Sequence, residues 1–301
     1  MAMAVLLLAG LTFVLLFPLP QLSRGWTSLL DLAHAPAFAL VTVFLVRGVE
    51  HVLGSHSWRW ALLVGFCMLA VGMGTELLQA ATGRSVTLHD AVANTLGVLA
   101  GVAWCVATSI ATRSANLLLR GAAGLLLLFA SLPPLGIMLD IARAHYEMPL
   151  LSSFENQLEL TRWVERNCRM ARTEEGVTDG RWALEVDLST AKYSGVTMHS
   201  PRCDWVAYED FVFDLTLPEG AEPLELIVKI EDFWHTGEWH DRFHEAIQLT
   251  PGTHEIRIPL ARIEQAPRGR QMKLQGIARI QWFAIELPRE RRIYLDNVRL
   301  E

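Results

Sequence analysis

The chain has 301 residues, of which 51% are hydrophobic and 19% are charged, and its formal net charge is −6 at pH 7. A modestly acidic chain without a run of lysine and arginine lacks the basic surface of a nucleic-acid-binding protein, so a nucleic-acid partner is excluded. The two halves of the chain differ in composition and in net charge. Residues 1–142 are largely apolar with a net charge of +1, whereas the rest of the chain has a net charge of −7 and a soluble composition.

Apolar runs long enough to cross the hydrocarbon core of a membrane fill the first half of the chain. The first run, MAMAVLLLAGLTFVLLFPLP, has neither a positively charged start nor a small-residue cleavage site. We therefore interpret it as a retained helix and not as a secretory signal. Further runs follow at about 26–49, 58–81, 88–110 and 116–139. The sequence thus predicts an α-helical membrane bundle of about five transmembrane helices over residues 1–142.

The arginines in the short connections predict the orientation of this bundle. One side holds Arg47, Arg59, Arg113 and Arg120, and the other side holds Arg24 and Arg84. The positive-inside rule places the side with more arginines in the cytoplasm. We therefore expect a multi-pass protein of a bacterial inner membrane, with its C-terminal domain on the extracytoplasmic side.

Polar residues in the predicted helices occur in pairs at helical spacing, toward the outer end. The pairs are Asp31 with His34, Glu76 with Gln79, and Asp90 with Asn94, and Arg84 lies in the link before the last pair. Each spacing places both members on one helix face. Because polar groups at bilayer depth are costly, they mark either a functional site or a network that holds the helices together, and both interpretations stay open.

If this polar cluster is a catalytic site, His34 beside Glu76 or Asp90 is the predicted acid–base pair. Arg84 would then hold an anionic head group, since its planar fork suits a phosphate. No nucleophile motif, phosphate-binding loop or metal-ligand spacing supports a named reaction, so the sequence leaves open whether the protein is an enzyme. Gly97 and Gly101 continue the stripe of Asp90 and Asn94 and predict a close approach to a neighbouring helix.

In order and spacing these motifs resemble the VanZ-like family, named after a teicoplanin-resistance protein. The residues that carry the resemblance are Asp31-x-x-His34, Glu76-x-x-Gln79, Gly83-Arg84-Ser85 and Asp90-x-x-x-Asn94-x-x-Gly97, with Gly101. They cover residues 26–105. The resemblance implies a site that acts on or senses a lipid or cell-wall component, as in glycopeptide resistance.

Residues 150–301 consist of short segments in which polar and apolar side chains alternate, separated by turn-forming residues. Examples are WALEVDL from Trp182, LELIVKI from Leu224 and RRIYLDNVRL from Arg291. This pattern predicts an extracytoplasmic antiparallel β-sandwich of the jelly-roll type. Cys168 and Cys203 both lie in this domain, and the sequence leaves open whether they pair.

The order of landmarks in this domain resembles that of jelly-roll carbohydrate-binding modules and of the related domain of complex I intermediate-associated proteins. The matching elements are Phe154-Glu155, Trp163, Thr178-Asp179-Gly180, Asp204-Trp205, Asp241-Arg242-Phe243 and Tyr294-Leu295-Asp296-Asn297. In such modules a glutamate of the first strand and an aspartate of the last often share a structural calcium. The resemblance implies Glu155 and Asp296 as its ligands. The alternative is that Asp296 caps a turn and Glu155 is solvated.

Sugar recognition uses flat aromatic faces beside polar side chains. The loop that follows LELIVKI supplies Trp234, Trp239 and Arg242 in this combination, and Tyr193 and Trp205 are further candidates. A tryptophan in a β-sandwich is more often a core residue than a sugar platform.

The predicted function is that of an envelope-associated membrane protein with a glycan-binding outer domain and a VanZ-like polar site. The expected partners are a membrane lipid or lipid-linked precursor and a cell-envelope glycan. Two alternatives stay open, namely an enzyme of lipid-linked envelope precursor metabolism and a non-catalytic membrane assembly factor. The sequence indicates neither the ligand nor the oligomeric state.

Overall fold

The computed structural model describes residues 24–81, 88–199, 201 and 204–301, and it describes the side chains of these residues except 76–81 and 88. The chain divides into two compact units, and the boundary falls between Met138 and Leu139. The first predicted helix and Cys203 lie outside the described residues.

The first unit is helical. Its helices are α1 (Arg24–Leu53), α2 (Trp58–Ala81), α3 (Leu88–Ser109) and α4 (Arg113–Tyr146), the last of which continues into the second unit. All four are long and apolar enough to cross a membrane. They correspond to the second to fifth predicted runs. Helix α4 continues past Pro133 and Pro134, and so ends later than the sequence suggests.

Helices α1 and α3 pack with their backbones in contact. A side-chain carbon added at Gly97 would collide with the backbone of Ala35, and one added at Gly101 would lie 2.7 Å from the carbonyl oxygen of Ala39. Because the contact positions advance together along both helices, α1 and α3 run parallel. This confirms the close approach predicted from the glycine spacing.

The second unit is a β-sandwich. Its strands are β1 (Leu150–Ser152), β2 (Trp163–Arg166), β3 (Cys168–Thr173), β4 (Ala183–Leu188), β5 (Tyr193–His199), β6 (Asp210–Leu217), β7 (Leu224–Asp232), β8 (Phe243–Leu249), β9 (Gly252–Pro259), β10 (Ile277–Ile285) and β11 (Arg291–Leu300). A short helix, α5 (Leu260–Glu264), follows β9. One sheet has the order β3-β4-β11-β6-β9, with β1 also on β11, and the other has the order β2-β5-β10-β7-β8. All pairs are antiparallel, which confirms the predicted strand arrangement.

Aromatic rings from the two sheets meet in the core of the sandwich. Trp282 of β10 lies edge-on to Phe213 of β6, with ring centroids 5.5 Å apart, and 6.2 Å from Phe211. These three side chains are at most 1% exposed. Side chains alternate along a strand, so the residues on either side of Trp282 point outward from the five-stranded sheet. The rigid core thereby fixes the positions of the outward-facing residues.

Candidate ligand-binding groove

A groove of about 500 Å³ crosses the outer face of the five-stranded sheet. Its lining comes from β2, β5, β10 and β7 and from the residue before β8, and consists of Arg166, Tyr193, Gly195, Val196, Thr197, Lys229, Arg242, Gln281 and Phe283. The lining residues of β5 and β10 are alternate residues, except for the core residue Val196. Four strands therefore build one continuous surface.

Phe283 and Gly195 form the apolar part of the groove floor. They lie opposite each other in the register of β10 and β5. A side-chain carbon at position 195 would collide with the backbone of Trp282 and Phe283, so the close approach of the two strands requires glycine. As a result, no side chain from position 195 lies beside the ring of Phe283. The ring of Tyr193 meets that of Phe283 edge-on at 5.9 Å.

Thr197 and Gln281 form the polar part of the floor. They lie opposite each other, two residues along the strands from Gly195 and Phe283 and on the same face. The Nε2 atom of Gln281 donates a hydrogen bond to Oγ1 of Thr197 over 3.0 Å. Both side chains retain further hydrogen-bonding capacity, since an amide and a hydroxyl each have more than one donor or acceptor position. The floor therefore presents an aromatic ring beside groups that can bind hydroxyls.

Basic side chains form the flanks of the groove. Arg166 lies over the ring of Tyr193, with its guanidinium carbon 5.2 Å from the ring centroid. Arg242 lies 5.8 Å from the ring centroid of Trp239. Its Nε atom is buried and has no hydrogen-bond partner within the described part of the chain. Lys229 is paired, with its Nζ 2.7 Å from Oε1 of Glu231.

Glu231 is a buried carboxylate that lies next to the groove and holds several basic side chains. Besides Lys229 it contacts Arg279 and Nε2 of His235, the latter at 3.1 Å. Burial by itself raises the pKa of Glu231, but Lys229, Arg279 and His235 outweigh that effect and lower it. Glu231 is therefore an ionised anchor for its neighbours.

Arg270 binds a residue at each end of the loop between β7 and β8, residues 233–242, which we call the aromatic loop. Its Nη2 lies 2.8 Å from Oδ1 of Asp232, and its Nε contacts Oδ1 of Asp241. Asp241 also accepts a hydrogen bond from the backbone N–H of Thr236 over 2.7 Å. Burial favours the neutral form of Asp241, but the bonds from Arg270 and Thr236 outweigh it and lower the pKa to about 2.

The predicted sugar-binding residues lie in three different environments. Tyr193 and Arg242 line the groove, and Trp239 flanks it through contacts with Arg242 and with the ring of His244, 4.2 Å away. Trp234 packs over Gly276, with Nζ of Lys273 4.1 Å from its ring centroid, and is not part of the lining.

Trp205 is a core residue. It is 0% exposed, and its ring stacks on Phe211 with centroids 5.3 Å apart. A ring with both faces inside the protein cannot pack on a sugar. The prediction of Trp205 as a sugar-binding residue is therefore wrong.

Seven lining residues were not predicted from the sequence, namely Arg166, Gly195, Val196, Thr197, Lys229, Gln281 and Phe283. The signal that bears on them is the alternation in YSGVTMH and IARIQWFAI, which identifies the outward residues of β5 and β10.

The predicted calcium ligands bind a loop. Oδ2 of Asp296 accepts backbone N–H groups of Thr178 and Asp179 at 2.8 and 3.1 Å. Oε1 of Glu155 accepts those of Arg181 and Trp182, each at 2.7 Å. These N–H groups direct positive charge at the carboxylates, where calcium coordination would need further oxygen ligands. The arrangement is consistent with the alternative in which Asp296 caps a turn, and a calcium ion shared by Glu155 and Asp296 stays a prediction.

The described part of the membrane-half cluster lies at one level of the helix pair α1 and α3. Asp31 and His34 lie within about one turn of Ala35, the residue that contacts Gly97, and Asn94 lies one turn before Gly97. Nδ1 of His34 is buried and has no hydrogen-bond partner among the described residues. Asp90 lies in the first turn of α3, one turn before Asn94.

The side chains of Glu76 and Gln79, and the whole of Arg84, lie outside the described residues. The proposed contact between His34 and Glu76 therefore remains a prediction. Cys168, the described member of the possible disulfide, donates its Sγ to the carbonyl oxygen of Gly195 at 3.0 Å.

Comparison with known proteins gives matches among solved structures. No protein-family model and no curated protein matches the chain. It is similar to an exo-β-agarase, with a TM-score of 0.41 and 16% identity over 50% of this chain and 24% of the agarase. It is similar to the family 11 carbohydrate-binding module of a cellulosomal cellulase of Clostridium thermocellum, with a TM-score of 0.38 and 18% identity over 50% of this chain and 92% of the module.

A third similar structure is the xylan-binding domain of a Paenibacillus barcinonensis protein, with a TM-score of 0.34 and 16% identity over 50% of this chain and 94% of that domain. The chain thus spans about a quarter of the length of the agarase but nearly all of the two binding modules. Since no family model matches, the resemblance of residues 26–105 to the VanZ-like family stays a prediction.

Proposed function

We propose that residues 150–301 form a glycan-binding domain and that the groove on the five-stranded sheet is its site. The observation that carries this proposal is the floor of the groove, where the ring of Phe283 lies two residues along β10 from Gln281, on the same face as the hydrogen-bonded pair Thr197 and Gln281. Sugar rings have apolar C–H faces that pack on aromatic rings and hydroxyls that need hydrogen-bonding partners. A floor held by β-strands supplies both in a fixed geometry.

The outer face of the other sheet offers a useful contrast. There, Arg292 pairs with Asp187 at 2.7 Å and Arg257 pairs with Asp210 at 2.9 Å. These two arginines thus have carboxylate partners on their own face. We therefore assign the ligand to the five-stranded sheet.

The test is retention of the full-length protein, in detergent, on xylan, mixed-linkage β-glucan, polygalacturonate and isolated peptidoglycan. We expect Phe283→Ala and Gln281→Ala each to weaken retention, with an unchanged melting temperature. Trp234→Ala is the matched control, since this exposed ring lies outside the groove. Retention lost in Trp234→Ala but kept in Phe283→Ala would move the site to the aromatic loop and refute the assignment.

The helices of the first unit support a membrane location for this domain. We propose that they anchor the protein in a bacterial inner membrane, with the glycan-binding domain on the extracytoplasmic side. A protein placed in this way would hold an envelope glycan close to the membrane surface.

A second candidate function rests on the membrane-half polar cluster. Nδ1 of His34 is buried at the level of Asn94 without a hydrogen-bond partner among the described residues, which favours a site for a polar group over a purely structural network. The proposed ligand is a lipid or a lipid-linked envelope precursor, acted on or sensed. The alternative of an assembly factor predicts no turnover at all.

The variant His34→Gln distinguishes a ligand site from a purely structural polar network. We expect this variant to express and insert normally and to lose lipid or precursor binding, with Thr95→Ala on α3 as a control. Loss of folded protein in proportion to loss of binding would instead support a structural network.

A further inference from the structure

The groove is basic, whereas the domain around it is acidic. The chain after residue 142 carries a net charge of −7. Among the described residues, the groove lining nevertheless contains two arginines and one lysine and no aspartate or glutamate. A groove whose sign is opposite to that of its domain is complementary to an anion.

Arg242 is a basic side chain of the groove that has no carboxylate partner among the described residues. Other arginines nearby have carboxylate partners: Arg270 binds Asp232 and Asp241, and Arg279 binds Glu231. Arg242 has no ion pair within the described ranges, and its Nε is buried without a hydrogen-bond partner. A partly desolvated guanidinium without a counter-charge is unfavourable, and an anionic ligand would supply the missing partner.

Arg166 offers a second guanidinium on the opposite flank. It is exposed, lies over Tyr193 and makes no ion pair in the part of the chain that the structure describes. β5, β10 and β7 lie between β2, which carries Arg166, and β8, which Arg242 precedes. At about 4.8 Å per strand, the two flanks are roughly 20 Å apart, which is wider than a single sugar ring.

We propose that the ligand of this groove is an acidic polysaccharide, with anionic groups on more than one sugar that meet Arg242 and Arg166. The inference rests on the proposed glycan-binding function and deepens it. Phe283, Thr197 and Gln281 contact the sugar rings, and the two guanidinium groups select for charge. Carboxylate, sulfate and phosphate groups share the chemistry that a guanidinium recognises.

The test compares acidic and neutral polysaccharides on the full-length protein in detergent micelles. The pairs are polygalacturonate with its fully methyl-esterified form, dextran sulfate with dextran, and phosphomannan with mannan, so each pair isolates one anionic group. We expect at least one acidic form to bind about tenfold or more tightly than its neutral partner, as a charge-assisted hydrogen bond allows. The preference should decrease as salt is added, because the exposed Arg166 is screened.

Variants then locate the effect. Arg242→Gln should lower affinity for the acidic form about tenfold or more, and should lower affinity for the neutral form by a much smaller factor, so that the preference for the acidic form decreases. Arg166→Gln should lower it about two- to fivefold, because the side chain is exposed. Arg257→Gln, on the other sheet, is the matched control and should change neither affinity.

The outcomes separate the inference from the function on which it rests. Equal affinity for acidic and neutral forms overturns the charge preference and leaves glycan binding intact. Retention on no polysaccharide overturns both. Equal affinity for polyglutamate, unaffected by Phe283→Ala, would identify a general polyanion surface and overturn the sugar assignment. The comparison within each polysaccharide pair uses the unaltered protein, so it decides the charge preference even if a variant does not fold.

Discussion

Arg162 and Asp140 form a buried ion pair within the second unit, in which Nη2 of Arg162 lies 2.8 Å from Oδ1 of Asp140. The arginine side chain is 6% exposed and the aspartate side chain 0%. Arg162 also donates Nη1 to the carbonyl oxygen of Leu151 over 2.6 Å. The pair thus ties the last two turns of α4 to the start of the sandwich.

We expect Asp140→Ala to destabilise the protein by about 3–5 kcal/mol, because the buried guanidinium loses its close partner and keeps only the longer contacts with Glu147 at 3.7 Å and Glu159 at 3.9 Å. Thermal unfolding of the full-length protein in detergent measures this. The control is Arg181→Ala, which removes an exposed pair with Glu174 and should cost less than about 1 kcal/mol. The double variant Asp140→Leu with Arg162→Met should recover much of the loss, and equal loss in all three would contradict the explanation.

The aromatic loop should respond to acid at a defined pH. The pKa of Asp241 is lowered from 3.8 to about 2, so its contribution to stability is complete above about pH 4 and is lost as the pH falls through about 2. Because the ring of Trp239 contacts the rings of His240 and His244, Trp234 is the better probe of this loop. We expect the fluorescence difference between wild type and Trp234→Phe to stay constant from pH 7 to about 4.5 and to change below that. Asp241→Asn should lack this transition. A transition centred near pH 6 would point to a histidine instead.

Calcium removal should leave the sandwich unaffected. Because Asp296 and Glu155 already accept backbone N–H groups, we expect EDTA to leave the melting temperature unchanged. Asp296→Ala should destabilise by about 1–3 kcal/mol, since the N–H groups of Thr178 and Asp179 lose their acceptor. A rise in melting temperature on adding calcium to the EDTA-treated protein, absent in Asp296→Ala, would restore the calcium site.

The proposed orientation predicts where the C-terminus lies. A reporter fused after Glu301 should be active only if it functions outside the cytoplasm, because the arginine-rich connections favour the cytoplasmic side. Changing Arg113 and Arg120 to glutamine should weaken this preference. Activity of a cytoplasm-specific reporter at that position would reverse the orientation and exclude an extracytoplasmic glycan ligand.

The sequence predicted elements better than it predicted their assembly. Alternation identified the strands, and the spacing of Gly97 and Gly101 identified a helix contact, because both are local patterns that map directly onto a face. The groove depends on the order β2-β5-β10-β7, in which neighbours in the sheet are distant in the sequence. The pattern shows that Gln281 faces outward, but not that it lies beside Thr197.

The sequence also did not predict which of the tryptophans is buried, or which backbone groups lie beside Glu155 and Asp296. Both Trp205 and Trp239 were candidates for the sugar site, yet one is 0% and the other 53% exposed, because only Trp205 stacks on Phe211 in the core of the sandwich. Glu155 and Asp296 both accept backbone N–H groups of one segment, between Thr178 and Trp182. Whether that segment presents N–H groups or carbonyl oxygens is a matter of backbone conformation, which the residue types do not specify.

The backbone contact at Gly97 and Gly101 limits how the membrane half can move. Sliding α3 along α1 by less than a full turn, about 5.4 Å, would bring the side chains of neighbouring residues against the carbonyl groups of Ala35 and Ala39. Sliding between these two helices is therefore unfavourable. Among the helices that the structure describes, an opening toward His34 would then come from displacement of α2 or α4, with the α1–α3 pair as the fixed frame.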